Sequence, residues 1–216
     1  MNWLKRNWLW ALINTIALAF FGSMLGSAVA AGFAGRAMHG LVGSSGSAAI
    51  LFLVLSLAMT PLQIMFGWKG GGKLKKSTGL WAFGFTALHL LAYEVSQFEL
   101  AARIGATAAT LSLGFGGAAL LIMLALAITS TNGWMRRMGT WWKRLHRLVY
   151  ATGVLAVLHV ALLSGGLGIM LGVVMAVLLS VRIPPIKRWF ARWHQRRNGQ
   201  LRPVAGSALV QRGGGL

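Results

Sequence analysis

Six long apolar stretches set the terms for this chain, running from about Trp8 to Phe33, Ser47 to Phe66, Gly79 to Gln97, Ala106 to Ser130, Leu145 to Ser164 and Leu167 to Ile183. A spanning helix needs roughly 20 apolar residues, and in hydrocarbon only helices and closed barrels satisfy every backbone amide. Only 11% of the residues are charged, against about 25% in a soluble domain. The expected fold is therefore an all-α integral membrane protein, with a six-transmembrane-helix bundle over residues 1–183. Pro184 and Pro185 should end the last span. The stretch 184–197 then reads as a basic, aromatic surface helix, and 198–216 as a Gly-rich disordered tail.

The connections are rich in Gly, Lys and Arg. If the first end is inside, 19 of the 21 Lys and Arg fall on one side, and only Arg36 and Arg103 fall on the other. The positive-inside rule then places both termini in the cytoplasm. All ten tryptophans lie at or near the same basic face, while Glu94 and Glu99 lie near the opposite one. The net charge of +19 sits in short clusters between apolar runs. It fits topogenic charge at an anionic lipid surface and argues against nucleic acid. Lys5 and Arg6, followed by an apolar run and SAVAAG, resemble a signal peptide. The run is longer than a 7–15-residue signal core, so the segment is expected to be retained. Gly22 with Gly26, and Gly168 with Gly172, suggest close helix packing, and Gly165-Gly166 a tight turn between the last two spans. No internal repeat of fixed period is evident.

Three histidines lie within these apolar segments: His89, His146 and His159. An ionisable residue in hydrocarbon is costly and marks a functional site by default, and imidazole is a usual axial ligand of haem iron. His89 is 13 residues past Lys76 and His159 is 12 past Arg147. At 1.5 Å per residue both stand roughly 18–20 Å above the basic face. Two imidazoles at one depth on different helices suit a six-coordinate haem b. The plainer alternative is a pair of histidines bonded to helix backbones or to polar neighbours such as Thr86. His39 and His194 read as surface residues.

His146 sits at the basic end of its segment, beneath Arg136, Arg137, Lys143, Arg144 and Arg147. It is an interfacial residue, a ligand of a second haem, or part of the electron-input side, where the cations would attract a propionate or phosphate and Trp141 and Trp142 would stack on a flat headgroup. Thirteen steps of about 100° leave His146 and His159 some 140° apart on an ideal helix, so each ring is expected to face a different neighbour unless Gly153 distorts the helix. Arg36 and Arg103 are the cations available to propionates at the far face.

The chain has no cysteine, which excludes thiolate haem, cysteine-ligated clusters and covalent c-type haem. Two acids support no paired-carboxylate hydrolysis, and no dinucleotide fingerprint or P-loop occurs. If electrons pass through this chain, both donor and acceptor must come from outside it.

The stretches KKSTGLWAFGFTALHLLAYE (75–94) and LALAITSTNGWMRRMGTWWKRLHRLVYATGVLAVLH (124–159), with Thr60-Pro61 as a weaker match, resemble the haem-binding membrane subunit of the protein-methionine-sulfoxide reductase system. That group belongs to the ferric reductase-like transmembrane family. The resemblance covers roughly residues 45–183. It implies haem-associated roles for His89, His146 and His159, and electrons received from quinol or a cytosolic flavin reductase. It also implies haem b as cofactor, with a flavin (FMN) in some members, and delivery to a periplasmic molybdenum-containing reductase subunit. On this view the chain is an electron-transfer subunit and not a self-contained catalyst. Longer relatives carry two histidines on each of two helices. Here Lys75 or Lys76 stands 13–14 residues before His89, which leaves a second haem without that ligand pair. A metalloreductase-type cytochrome with another acceptor and a haem-free transporter or assembly protein are the alternatives.

Overall fold

The computed structural model describes residues 2–33, 35–67, 71–104 and 106–199, with side chains undescribed at 2–4, 6, 35–36, 96–104, 106–109, 191 and 194–199. Every regular element in them is helical: α1 Asn2–Ala30, α2 Gly35–Phe66, α3 Gly71–Ile104, α4 Ala106–Ile128, α5 Asn132–Met138, α6 Thr140–Leu145, a 3-10 turn His146–Leu148, α7 Val149–Leu163, α8 Gly165–Ser180 and α9 Pro184–Gly199. Among the described residues, four helical stretches are long and apolar enough to cross a membrane, or five when α8 and the start of α9, bent by 65° at the Pro184 break, count as one. The stretch that carries His89 is not among them by that measure. The all-helical membrane architecture stands, with four to five qualifying spans where six were expected.

Helix α2 begins at Gly35, twelve residues before the expected segment at Ser47. The GSSGS stretch stays helical because its hydroxyls bond back to carbonyls of the preceding turn: Ser44 and Ser45 to Leu41, and Ser47 to Gly43 at 2.8 Å. His39 accordingly lies inside a helix and not in a link. Further along, Pro61 interrupts the same helix and cannot donate to the Leu57 carbonyl four residues back. Arg182, in the turn just after α8, donates to that carbonyl and to the Tyr150 hydroxyl, with its guanidinium 4.9 Å from the Tyr150 ring. One missing amide thus creates the joint that ties α8 to α2 and α7.

The tightest pairings are α2 with α3 and α4 with α7. Leu57, Phe85, Thr78 and Thr152 are fully buried between them. Phe52 stacks on Phe85 at 5.3 Å, and Phe21 meets Phe85 edge-on at 5.5 Å. Helix α1 joins through polar bonds. Asn14 Oδ1 accepts from Ser77 Oγ at 2.7 Å and from Trp81 Nε1 at 2.9 Å, while Lys73 donates to Asn7 at the kink in α1. Trp81 is therefore tied inside the bundle.

The glycine pairs divide. A Cβ on Gly168 would fall 2.3 Å from the Ala161 Cα, so α7 and α8 touch backbone to backbone there. Gly22 and Gly26 face open space, which corrects their reading as packing glycines. The turn before α8 is made by Ser164 alone, in extended conformation, and Gly165 and Gly166 already belong to α8.

Candidate haem site

His89 on α3 and His159 on α7 face each other, with ring centroids 6.1 Å apart and planes at 85°. Each is held from behind by the helix it packs on. His89 Nδ1 lies 2.9 Å from the Val42 carbonyl of α2. His159 Nδ1 lies 2.8 Å from the Ser112 carbonyl and 2.9 Å from the Ser112 hydroxyl, both of α4. A carbonyl can only accept, so each Nδ1 carries the proton and each Nε2 keeps its lone pair. Thr86 bonds back to Ala82 and leaves the His89 ring alone.

A carbonyl inside a helix already accepts from the amide four residues on, and the side chain at that position covers it. Here that position is glycine in both cases. A Cβ on Gly46 would lie 3.0 Å from His89 Nδ1, and one on Gly116 would lie 3.0 Å from His159 Nδ1. The missing side chains open the Val42 and Ser112 carbonyls to the imidazoles. In both halves the histidine follows its carbonyl partner by 47 residues. Val42, Gly46 and His89 map onto Ser112, Gly116 and His159 by one shift of 70 positions, which also aligns GSAAIL (46–51) with GGAALL (116–121). The chain therefore contains an internal repeat that the sequence reading missed. None of Val42, Gly46, Ser112 and Gly116 was singled out there. The paired glycine motifs, one a fixed distance before each histidine, were the signal.

The arrangement suits a haem iron. Metal–imidazole bonds are about 2 Å, so two rings on opposite sides of one iron have centroids roughly 6 Å apart. Among the described residues no group of three or more His, Cys, Asp or Glu could hold a bare metal ion. Two imidazoles suffice where a macrocycle supplies the other four ligands.

His146 lies elsewhere, in the 3-10 turn that precedes α7. Its ring stacks on Trp142 with centroids 4.0 Å apart. Thr129 donates its hydroxyl proton to Ala125 at 2.7 Å, so its oxygen accepts from His146 Nε2, 3.1 Å away. His146 thus meets a tryptophan and a threonine where a second haem would need another imidazole. It lines a cavity of about 480 Å³ with Trp142, Lys143, Arg147, Lys75, Lys76 and Tyr150. Trp141 and Arg144 do not line it. They stack on each other on the exposed surface, 4.7 Å apart. The side chains of Arg36, Arg103 and His194, and all of Trp68, lie outside the described residues.

Residues 45–162 match the family described as ferric reductase like transmembrane component. The chain is 38% identical, over 157 residues, to the protein-methionine-sulfoxide reductase heme-binding subunit MsrQ of Rhodospirillum rubrum, covering 70% of this chain and 73% of that protein. No solved structure matches. The matched stretch holds both glycine–histidine pairs, His146 and most of the cavity, and on these grounds the chain belongs to the ferric reductase like transmembrane family, alongside MsrQ.

Proposed function

We propose that this chain is the haem b electron-transfer subunit of a membrane protein-methionine-sulfoxide reductase system. The observation that carries the proposal is the opposed pair His89 and His159, each with Nδ1 bonded to a carbonyl and Nε2 left as a ligand. The likeness to MsrQ supports the choice of system. A haem held there would supply a one-electron carrier within the bilayer. The chain's own work is to orient two neutral imidazoles, exclude water with the surrounding aliphatic and aromatic side chains, and hold the helices at a fixed spacing.

On this reading the bundle crosses the membrane six times, with α3 as a span despite its polar start, and both termini are cytoplasmic. The 19-to-2 division of basic residues supports that orientation. Electrons enter at the basic end, where His146 and Trp142 line a cavity rich in cations. A quinol headgroup or a flavin presented by a cytosolic reductase suits that lining, the cations attracting phosphate and Trp142 offering a stacking face. Electrons leave at the opposite face to a periplasmic molybdenum-containing reductase subunit, and Arg36 and Arg103 serve the haem propionates there.

A reduced-minus-oxidised spectrum with pyridine-haem quantification tests the proposal. The wild-type chain should show a low-spin b-type haem at about one per chain. His89→Ala and His159→Ala should each lose most of it while still inserting. Full haem in both variants would overturn the assignment.

A further inference from the structure

We propose that Ser112 is a positioning residue that fixes the proton on His159 and lowers the reduction potential of the haem this ligand binds. The inference rests on the haem reading above and adds a difference between the two ligands. The repeat gives both histidines a carbonyl and a glycine, but only one side has a hydroxyl: Ser112 occupies the place of Val42.

Ser112 is buried, and both described bonds of its hydroxyl run to His159. Its hydroxyl lies 2.9 Å from His159 Nδ1 and 3.4 Å from the His159 carbonyl oxygen. The carbonyl can only accept, so the hydroxyl proton points to it and a hydroxyl lone pair is turned to Nδ1. The Ser112 carbonyl, 2.8 Å from the same nitrogen, can only accept as well. Two acceptors on one N–H leave a single tautomer, with the lone pair on Nε2. His89 has the Val42 carbonyl as its described acceptor. Among the other buried hydroxyls, Ser45 and Thr78 bond back to a carbonyl of their own helix, Ser56 and Ser77 bond to a neighbouring helix, and none of these four meets an imidazole.

Acceptors on the distal N–H draw the proton away from the ring and make Nε2 a stronger donor to metal. A stronger donor favours the more highly charged ferric iron, so the second acceptor lowers the potential.

The test uses the full-length protein in membranes or detergent, with haem content, redox titration and ferric electron paramagnetic resonance measured on wild type, Ser112→Ala and Ser112→Thr. A wild-type chain without bis-histidine haem defeats the reading above and this inference with it. Given that haem, Ser112→Ala should keep it and shift its reduction equilibrium toward the reduced form by up to about tenfold, or about 59 mV for a one-electron couple. The g-values should move with it. Ser112→Thr, which keeps the hydroxyl, should restore the wild-type potential. A Ser112→Ala protein with full haem and unchanged potential and g-values overturns the inference and leaves the haem reading standing. Should Ser112→Ala lose haem, Ser112→Thr decides: wild-type haem content and potential support the role, and a lost or shifted haem overturns it.

Discussion

The α2–α3 pair and the α4–α7 pair use one backbone device and differ at its two ends. In both, a glycine uncovers a helix carbonyl and a histidine from the neighbouring helix takes it. At the histidine level the first pair has Val42 where the second has Ser112. At the basic end the first pair has a short link and Lys76, and the second has α5, α6 and a 3-10 turn carrying His146, 70 positions on from Lys76. The shared part is what the proposed pair of haem ligands would require. The differing parts give the two imidazoles different hydrogen bonds, and give the basic end one histidine in place of two. The comparison teaches that the ligand geometry is duplicated while the electrostatics around it are not.

The glycines offer the strongest test of that equivalence after the histidines themselves. Gly46→Ala and Gly116→Ala each put a methyl carbon 3.0 Å from an Nδ1, tighter than ordinary contact. The ring must retreat, and its carbonyl bond breaks. A buried polar group left unpaired costs about 1–3 kcal/mol. Both variants are expected to insert and to lose haem by a comparable, several-fold factor, read by pyridine-haem content after purification. Loss in only one would show that the halves are not equivalent. Gly168→Ala is the control. It clashes with the Ala161 backbone, so it should lower thermal stability through the α7–α8 contact, by about 1–3 kcal/mol as overpacking does.

Much of this was legible in the sequence, and the missed parts have physical causes. Hydropathy found the helical stretches, and the depth argument matched His89 with His159, because both depend on rise per residue alone. The early start of α2 was missed because GSSGS reads as a linker when its hydroxyls are assumed to face water. In the bundle they bond back to the helix. The spacing of His146 and His159 forecast different neighbours for the two rings, and His146 does turn to Thr129 and Trp142. The two short helices before the 3-10 turn were not inferred, because they lie in a stretch read as a Gly- and Lys/Arg-rich connection and are broken at Gly139, whose φ is positive. Arg144 and Trp141 were grouped with His146 by proximity along the chain, and in the fold they stack on each other at the exposed surface, outside the cavity that His146 lines.

Val42→Ser sharpens the upper difference. By the repeat, a serine there stands toward His89 as Ser112 stands toward His159. The haem of this variant is expected to be harder to reduce, with the equilibrium shifted several-fold toward the oxidised form and haem content retained. Redox titration reads this directly. Combined with Ser112→Ala, the two shifts should cancel in large part, because the hydroxyl has only moved from one axial side to the other. A double variant as easily reduced as Ser112→Ala alone would mean that the two sides are not interchangeable.

The smallest expected effect lies at the basic end, where the repeat sets His146 against Lys76. His146 is hydrogen-bonded to Thr129 and stacked on Trp142, away from the opposed imidazole pair. His146→Ala should therefore leave the spectrum and potential of the haem as they are. It should also remove the partner of the Thr129 oxygen and one wall of the cavity. The expected change is a slower reduction by an added quinol or flavin reductase, by a few-fold, seen in stopped-flow traces of the haem band. Lys76→Gln removes a cation from the same cavity without touching the stack, so its slowing should fade as salt screens the remaining charges. A His146→Ala protein that loses haem would instead make His146 an iron ligand alongside His159. Unchanged kinetics in both variants would move electron input away from this cavity and leave its cations a topogenic role alone.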